Sequence, residues 1–318
     1  MKVAYIYNIN NTQDYATKTV VDGFKNAFTE RKDTFRIFDL IKLKSSFWPH
    51  EKLRLITYAP DVIFTDVENV SNIPLSLLKN TKLVLSGSFY SSCSYLPKTL
   101  AVTAKTKQVL NKYSTKHNIL IRSPYDESFN ERFFGGYQKD LGISVMQSLH
   151  CADSAKYSAP LLNPEFDFLW VGDIGTRTTT YKAFIQPLKT TFSNYLEYNE
   201  HNMINPRTIE SKGYYSRSFI TPNIHTEIEI KNRMLLNEMV FKSSMLGGFQ
   251  ICDNPLAGEL FQEDELIITT NGDDFLEKAH HYISHPDKRM EMIKKMQENI
   301  LKNHTYSNRI DQILASYS

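Results

Sequence analysis

The sequence predicts a two-domain α/β protein with a doubly wound parallel sheet in each half. Two observations lead to this prediction. Short apolar runs alternate with segments of helical spacing, which is the pattern of parallel strands joined by helices. An aperiodic stretch interrupts this pattern near the middle of the chain, after which the pattern starts again. The chain of 318 residues is long enough for two hydrophobic cores.

The first half begins with a buried strand at residues 2–9, followed by a helix at residues 14–31 whose apolar side chains recur at helical spacing. Further strands are expected at residues 34–40, 62–66, 82–87, 118–122 and 143–149, and further helices at 51–58 and 100–113. We therefore assign residues 1–151 to an N-terminal Rossmann-like domain.

The second half is separated from the first by residues 152–164, which lack periodicity and are expected to form a linker. A second Rossmann-like domain is predicted over residues 165–303. Its strands are expected at 166–173, 195–198, 218–224, 248–252 and 266–270, and its helices at 180–192, 232–246, 272–284 and 286–303. Residues 304–318 are predicted to form a terminal helix that packs back toward the N-terminal domain.

Composition and charge restrict the class of protein. Lys and Arg number 37 against 35 Asp and Glu, a formal net charge of +2, so the overall basic field of a non-specific nucleic-acid binder is absent. The cysteines Cys93, Cys151 and Cys252 are far apart, and we interpret them as reduced packing residues. No segment resembles a signal peptide or a membrane span, so a cytoplasmic location is expected.

A turn rich in glycine follows the first strand of the second half. It contains Gly172, Asp173, Gly175 and Arg177 and leads into a predicted helix. Glycines let a backbone approach an anion, helix N-terminal amides point at it, and arginine adds a charged contact. The turn therefore predicts a phosphate site, with an ordinary tight turn and a solvated arginine as the alternative.

The most informative segment runs from Asn237 to Asn254 and passes through two glycines into a buried strand that ends in polar residues. Three short motifs follow it: Glu259-Leu260-Phe261, the His-Pro-x-x-Arg sequence at 285–289, and His304-Thr305-Tyr306. In this order the motifs resemble the donor-binding region of group 1 glycosyltransferases of the spore-maturation-protein type. The resemblance extends over residues 220–315.

This resemblance implies a GT-B enzyme, in which two Rossmann-like domains face each other across a cleft and the C-terminal domain binds a nucleotide sugar, UDP-linked in such families. It also implies that neither a metal nor another cofactor is needed, because basic side chains and helix amides stabilise the departing diphosphate. The expected donor-binding residues are Gly172, Asp173, Arg177, His225, Asn237, Glu238, Lys242, Gly248, Asp253 and Asn254.

One position departs from the family pattern. Relatives have Phe-Glu where this chain has Phe241-Lys242, and that glutamate commonly contacts the nucleotide ribose. Glu238, one helical turn earlier, is the candidate replacement, with Lys242 directed at the diphosphate. The alternative is that Lys242 is a surface lysine. His225 is expected to face the donor, with a structural histidine as its alternative.

The acceptor side is expected at the carboxyl ends of the strands in the N-terminal domain. If transfer inverts the anomeric centre, a base must deprotonate the acceptor hydroxyl, and Asp14 and Asp66 are the candidates. A retaining reaction needs no such base. The sequence does not choose between these stereochemical outcomes.

The acceptor itself stays open among a saccharide, a protein, a small molecule and a hydroxymethylated base in DNA, as in phage-type DNA modification. For DNA, the lysines 105, 107, 112 and 116 would contact phosphates, although a solvated face of an amphipathic helix is the favoured explanation for them. Two hypotheses from other classes are a sugar-nucleotide epimerase and a catalytically silent nucleotide-sugar-binding module.

Overall fold

The computed structural model describes residues 1–9, 15–45, 49–78, 80–92, 101–113, 118–202 and 205–317. The chain divides into two compact units. The first unit comprises Met1–Leu149 and Arg309–Ser318, and the second unit comprises His150–Asn308. Residues 152–164, expected to be a linker, thus belong to the second unit, where Ser158 N donates a hydrogen bond to the Met245 carbonyl at 2.9 Å.

The first unit is an α/β domain built on a parallel sheet. Its strands are β1 (Lys2–Tyr7), β2 (Thr34–Asp39), β3 (Val62–Asp66), β4 (Lys82–Ser86), β5 (Ile119–Ser123) and β6 (Ser144–Gln147). Its helices are α1 (Tyr15–Glu30), α2 (Leu40–Lys44), α3 (Pro49–Tyr58), α4 (Leu75–Leu78), α5 (Ala104–Tyr113), α6 (Glu127–Phe133) and α7 (Gly135–Leu141). The strand order is β2-β1-β3-β4-β5-β6, and every pairing is parallel.

Aromatic side chains fill the core on one side of this sheet. Phe24 and Phe28 of α1 are fully buried, and the ring centroids of Phe24 and Phe64 lie 5.0 Å apart. Tyr5 of β1 stacks on Phe64 of β3 at 5.8 Å. These contacts explain why the apolar spacing of α1 predicts the helix correctly, since the same face packs on the two central strands.

The second unit has its own parallel sheet. Its strands are β7 (Phe166–Val171), β8 (Tyr195–Tyr198), β9 (Ser218–Asn223), β10 (Gln250–Cys252) and β11 (Ile267–Ile268). Its helices are α8 (Thr178–Thr180), α9 (Gln186–Thr191), α10 (Pro206–Ser211), α11 (Glu227–Lys231), α12 (Met239–Met245), α13 (Gly272–Ser284) and α14 (Pro286–Asn303). The last helix of the chain, α15 (Tyr306–Ala315), begins in the second unit, and its residues from Arg309 onward are assigned to the first unit. The strand order is β11-β10-β9-β7-β8, with all pairings parallel.

The prediction of a helix at residues 232–246 is wrong over the first half of that range. Only Met239–Met245 is helical, and the shorter helix α11 precedes it. Arg233 has a positive φ of 48°, which ends α11. The backbone N–H of Asn237 is bonded to the ring of His225 rather than to a helical carbonyl. Tertiary hydrogen bonding therefore competes successfully with the helical pattern here.

The predicted fold class is confirmed as two parallel-sheet α/β units. Among the described residues, no helix combines the length and the apolar character needed to cross a bilayer. Because β7, β9 and β10 are parallel neighbours, their carboxyl ends lie at one edge of the second sheet. This edge is where most of the predicted site residues are found.

Candidate functional site

The turn after β7 lies at this edge, but its amides are already bonded within the chain. Glu200, just beyond β8, accepts hydrogen bonds from Ile174 N at 2.8 Å and Gly175 N at 3.0 Å. These bonds, that from Ile174 above all, lower the pKa of the Glu200 carboxyl. Asp173 accepts a bond from Thr176 N at 3.1 Å. The predicted phosphate position on these amides is therefore taken by a carboxylate of the chain.

Arg177 joins the ends of β7 and β9. Its Nε donates to the Ile224 carbonyl at 3.1 Å, and Nη1 contacts the Thr176 hydroxyl at 3.2 Å. The side chain is half-buried. With Nε and Nη1 bonded within the chain, the second terminal nitrogen of this half-buried guanidinium can still donate to a ligand, so Arg177 can contact a phosphate at this edge.

His225 and Asp253 form a buried pair behind the edge. The carboxylate of Asp253 accepts from His225 N at 3.0 Å and lies 2.8 Å from His225 Nδ1. His225 Nε2 is 3.1 Å from Asn237 N and must accept that hydrogen. Nδ1 therefore carries the ring proton and donates it to Asp253. Both side chains are excluded from solvent, at 0% and 1% exposure. Neither therefore has the exposed surface that the predicted contact with the donor would need.

The ligand atoms of His225, Cys252 and Asp253 lie within 4.8 Å of one another, which raises the question of a metal. The donor set does not fit one. Both ring nitrogens of His225 have hydrogen-bond partners, and burial raises the pKa of the Cys252 thiol, which favours its protonated form. We interpret the group as a hydrogen-bonded packing cluster.

Asn237 and Asn254 also have structural bonds. Asn237 Nδ2 donates to Asn223 Oδ1 at 2.8 Å, and Asn223 in turn donates to Gln250 Oε1 at 2.8 Å. Asn254 is fully buried and caps the following turn, with its Oδ1 accepting from Leu256 N at 3.1 Å. The predicted contacts of Asn254 with sugar or phosphate are thus replaced by a capping role.

The predicted glycines serve close packing. A Cβ on Gly248 would lie 2.7 Å from the Ser243 hydroxyl and 3.0 Å from the Ser243 carbonyl. A Cβ on Gly172 would lie 2.7 Å from the Trp170 ring. Gly248 therefore lets α12 approach β10, which positions the start of α12 without contacting a ligand itself.

Lys242 belongs to a buried charge cluster that the sequence did not reveal. Its Nζ lies 2.6 Å from Glu210 Oε1, and Lys156 Nζ lies 2.8 Å from the other oxygen of the same carboxylate. Lys242 is 8% exposed, so it is not a surface lysine. Burial lowers its pKa, but Tyr215, Glu238 and Glu210 outweigh this effect and raise the pKa above the ordinary value.

Glu238 lies one residue before α12 and beside this cluster. It is half-buried, and Lys242 N donates to its carbonyl at 3.0 Å. Burial raises the pKa of its carboxyl, against the opposing effect of Lys242. The Glu238 side chain has partial access to solvent. Its contact with a nucleotide ribose stays a prediction.

In the first unit, Asp66 is exposed at the carboxyl end of β3. The Ser86 hydroxyl, at the end of β4, donates to its Oδ1 at 3.1 Å. Asp14, the other candidate base, lies outside the described residues, as does Lys116. Lys105 and Lys112 are exposed on α5, and Lys107 Nζ lies 3.6 Å from the centre of the Tyr90 ring.

Comparison with known proteins gives a family match over the C-terminal part of the chain. Residues 161–315 match the family model described as glycosyl transferase-like. Among curated proteins, no sequence matches the chain. T4 phage β-glucosyltransferase is similar in structure over 100% of both chains, with 10% identity and a TM-score of 0.59.

Two further solved structures are similar. An α-glucosyltransferase in complex with UDP and a 13-mer DNA containing an HMU base is similar over 100% of this chain and 99% of that chain, with 11% identity and a TM-score of 0.60. The lipopolysaccharide outer core galactosyltransferase WaaB is similar over 100% of both chains, with 11% identity and a TM-score of 0.50. The chain has the GT-B fold, and the family match over residues 161–315 is to a model described as glycosyl transferase-like.

Proposed function

We propose that this protein transfers a sugar from a UDP-linked donor to a hydroxyl acceptor. The observation that supports this proposal most is that the family match, residues 161–315, includes the whole carboxyl edge of the second sheet. The motif order at 259–261, 285–289 and 304–306 supports the narrower assignment to the spore-maturation-protein type. A UDP-linked donor is supported by the solved α-glucosyltransferase, which contains UDP.

Arg177 and Glu238 are the proposed donor contacts. Arg177 is fixed by its bond to Ile224 and would neutralise charge on the departing diphosphate. Glu238 would accept hydrogen bonds from the ribose hydroxyls. Lys242 is assigned no phosphate contact, because its ammonium group is paired with Glu210 in the buried cluster. His225 and Asp253 are assigned a positioning role, since their bonds fix Asn237 and the start of α12.

A hydroxymethylated base in DNA is the second, more specific acceptor that we consider. One of the similar solved structures is described as a DNA-modifying β-glucosyltransferase, and two others are α-glucosyltransferases in complex with a 13-mer DNA; the similarity covers 99–100% of those chains. If the reaction inverts the anomeric centre, Asp66 is the proposed base, since it is exposed at the acceptor edge of the first unit.

The proposal is tested by measuring UDP release and sugar transfer from a panel of UDP-sugars. The acceptors are duplex DNA containing hydroxymethylated bases, the same DNA without them, and a mixture of oligosaccharides. Transfer that is lost in Arg177→Ala and kept in Arg233→Ala, an exposed arginine of the same unit, is the expected result. If no UDP-sugar is consumed with any acceptor and no UDP binds, the silent-module hypothesis replaces this proposal.

A further inference from the structure

A basic pocket lies on the first unit at the edge of its sheet. Residues from β1, β2 and α3 line it, among them Lys2, Arg36, His50 and Arg54. In the described part of the chain, no carboxylate lines this pocket. Strand β2 is the terminal strand of the described sheet, and Lys2, Arg36, His50 and Arg54 are all exposed. The pocket therefore presents cationic groups to solvent.

Aromatic rings orient two of these cations. The guanidinium of Arg36 lies 4.7 Å from the centre of the Tyr58 ring, and that of Arg54 lies 4.6 Å from the centre of the Phe38 ring. Arg54 also donates to the Ile37 carbonyl at 2.7 Å and pairs with Glu51 at 3.1 Å. Stacked guanidinium groups lose less conformational freedom on binding an anion, so the pocket is partly preorganised.

Large apolar side chains are exposed beside the cations. Leu53, which lines the pocket, is 61% exposed, and Ile41 of α2 and Ile56 of α3 are 49% and 40% exposed. The helices α2 and α3 together contain four Lys or Arg residues and His50, against one acidic residue, Glu51. Short helices that expose both cations and large apolar groups have the character of a bilayer interface rather than of an ordinary solvated surface.

We propose that this surface of the first unit binds the phosphate headgroups of an anionic lipid bilayer. The cations of the pocket contact the phosphates, and Leu53 and Ile56 enter the boundary between headgroups and acyl chains. Charge complementarity favours an anionic bilayer. A nucleic-acid backbone would also satisfy the cations, but it would leave Leu53 exposed to water. The exposed apolar residues therefore favour the lipid.

The proposed lipid-binding surface lies where the strands of the first sheet begin, and the acceptor edge lies where the strands of the same sheet end. Lys2 begins β1 and Thr34 begins β2, and both line the pocket. Asp66 and Ser86 end β3 and β4, which run parallel to β1. Attachment to a bilayer through the pocket therefore leaves the edge that contains Asp66 accessible. This proposal does not depend on the donor or on the transfer reaction.

Cosedimentation of the full chain with vesicles tests the proposal. One set of vesicles contains phosphatidylcholine alone, and the other contains phosphatidylcholine with phosphatidylglycerol. We expect binding to the anionic vesicles only, weakened about fivefold by Arg36→Ala. Leu53→Ser is expected to weaken it by a similar factor. Binding should also decrease as salt is raised, because screening shortens the range of the attraction.

Two controls and a competitor complete the test. Ile228→Ser and Lys278→Ala change exposed residues of the second unit and should leave vesicle binding unchanged. Unfolding temperatures show whether each variant is folded, and Lys2→Gln replaces Arg36→Ala if that variant is not. Equal binding to both vesicle types, or none to either, overturns the proposal. Binding that Leu53→Ser leaves intact contradicts the insertion of Leu53 into the bilayer and overturns the proposal. Binding that DNA abolishes at equal phosphate concentration assigns the pocket to a nucleic acid instead.

Discussion

His225 and Asp253 form an enclosed pair beneath the start of α12, and each bond in the pair has a structural consequence. His225 Nε2 accepts a hydrogen bond from Asn237 N, and His225 Nδ1 donates one to Asp253. The carboxylate of Asp253 also accepts a hydrogen bond from the backbone N–H of His225. Removing either side chain leaves buried polar groups without partners, which costs roughly 1–3 kcal/mol for each group. The pair thus connects the ends of β9 and β10 to the residues that precede α12.

We predict that His225→Ala lowers the free energy of unfolding of the second unit by about 2–4 kcal/mol. Trp170 is buried in this unit, so its fluorescence reports the transition in a Trp48→Phe background. His201→Ala is the matched control, because that side chain is 79% exposed in the same unit. An effect of His225→Ala no larger than that of His201→Ala would show that the bonds contribute little.

Lys242 offers a charge-reversal test of the buried charge cluster that it forms with Glu210 and Lys156. Lys242→Glu should destabilise the second unit by about 3–5 kcal/mol, because it breaks a buried pair and brings a carboxylate next to Glu210. Adding Glu210→Lys to that variant should restore part of the loss, measured by urea unfolding. If the single variant is as stable as the wild type, the cluster does not position α12.

Glu238 gives a pH dependence whose sign follows from its environment. Burial raises its pKa, so as the pH falls it is protonated earlier than an ordinary glutamate. A protonated carboxyl accepts ribose hydrogen bonds poorly, so we expect UDP affinity to fall with decreasing pH at values above the usual glutamate range. The pH dependence of stability has the opposite sign to that of UDP affinity. A carboxyl pKa that is higher in the folded than in the unfolded state favours folding at low pH, and this stabilisation is lost as the pH rises through the folded-state pKa.

The ratio of UDP affinities of wild type and Glu238→Gln isolates this effect, because titration of the UDP phosphate cancels in it. The ratio should approach one at acidic pH and increase as the carboxyl ionises. Glu227→Gln, an exposed change in the same unit, should follow the wild-type profile throughout. A ratio that is constant over the whole pH range would remove Glu238 from the donor site.

At the scale of secondary-structure elements, α12 and β10 depend on a tight glycine turn. Gly247 has a φ of +80°, and a Cβ there would lie 3.0 Å from the carbonyl oxygens of Ser158 and Ala159. Gly213 in the same unit has a φ of +64°, but its nearest neighbour would lie at 3.6 Å. The two positions share the conformational strain and differ in the available space.

Gly213→Ala should therefore lose about 1–2 kcal/mol of unfolding free energy, from the left-handed conformation alone. Gly247→Ala should lose more, because the backbone of residues 158–159 must also move. Urea unfolding followed by Trp170 fluorescence compares the two variants. Equal losses would mean that residues 158–159 can shift without energetic consequence.

Several elements were predictable from sequence because their patterns are local. The strand at 195–198 and the helix at 286–303 have the expected bounds. The helix begins at Pro286 and has apolar residues at helical spacing. The helix at 232–246 was not predictable, because Asn237 N is bonded to His225, a residue from another element. Local spacing contains no information about such a bond.

On the scale of the whole molecule, the candidate site also depends on contacts between distant parts of the chain, and local sequence patterns do not indicate such contacts. The ends of parallel strands share an edge, and Arg177, His225 and Asp253 lie near one another at that edge of the second sheet. The sequence did not reveal which of these side chains are enclosed. Two functional carboxylates were missed, Glu200 just after β8 and Glu210 in α10. No motif indicated that Glu200 accepts hydrogen bonds from the turn amides or that Glu210 pairs with Lys242.

Calorimetric titration of UDP into the full chain tests most directly whether the carboxyl edge of the second sheet binds the donor. We predict a saturable heat for the wild type, an affinity at least about tenfold lower for Arg177→Ala, and no change for Arg233→Ala. Absence of UDP binding, or equal affinities in all three proteins, would contradict the assignment of this edge as the donor site.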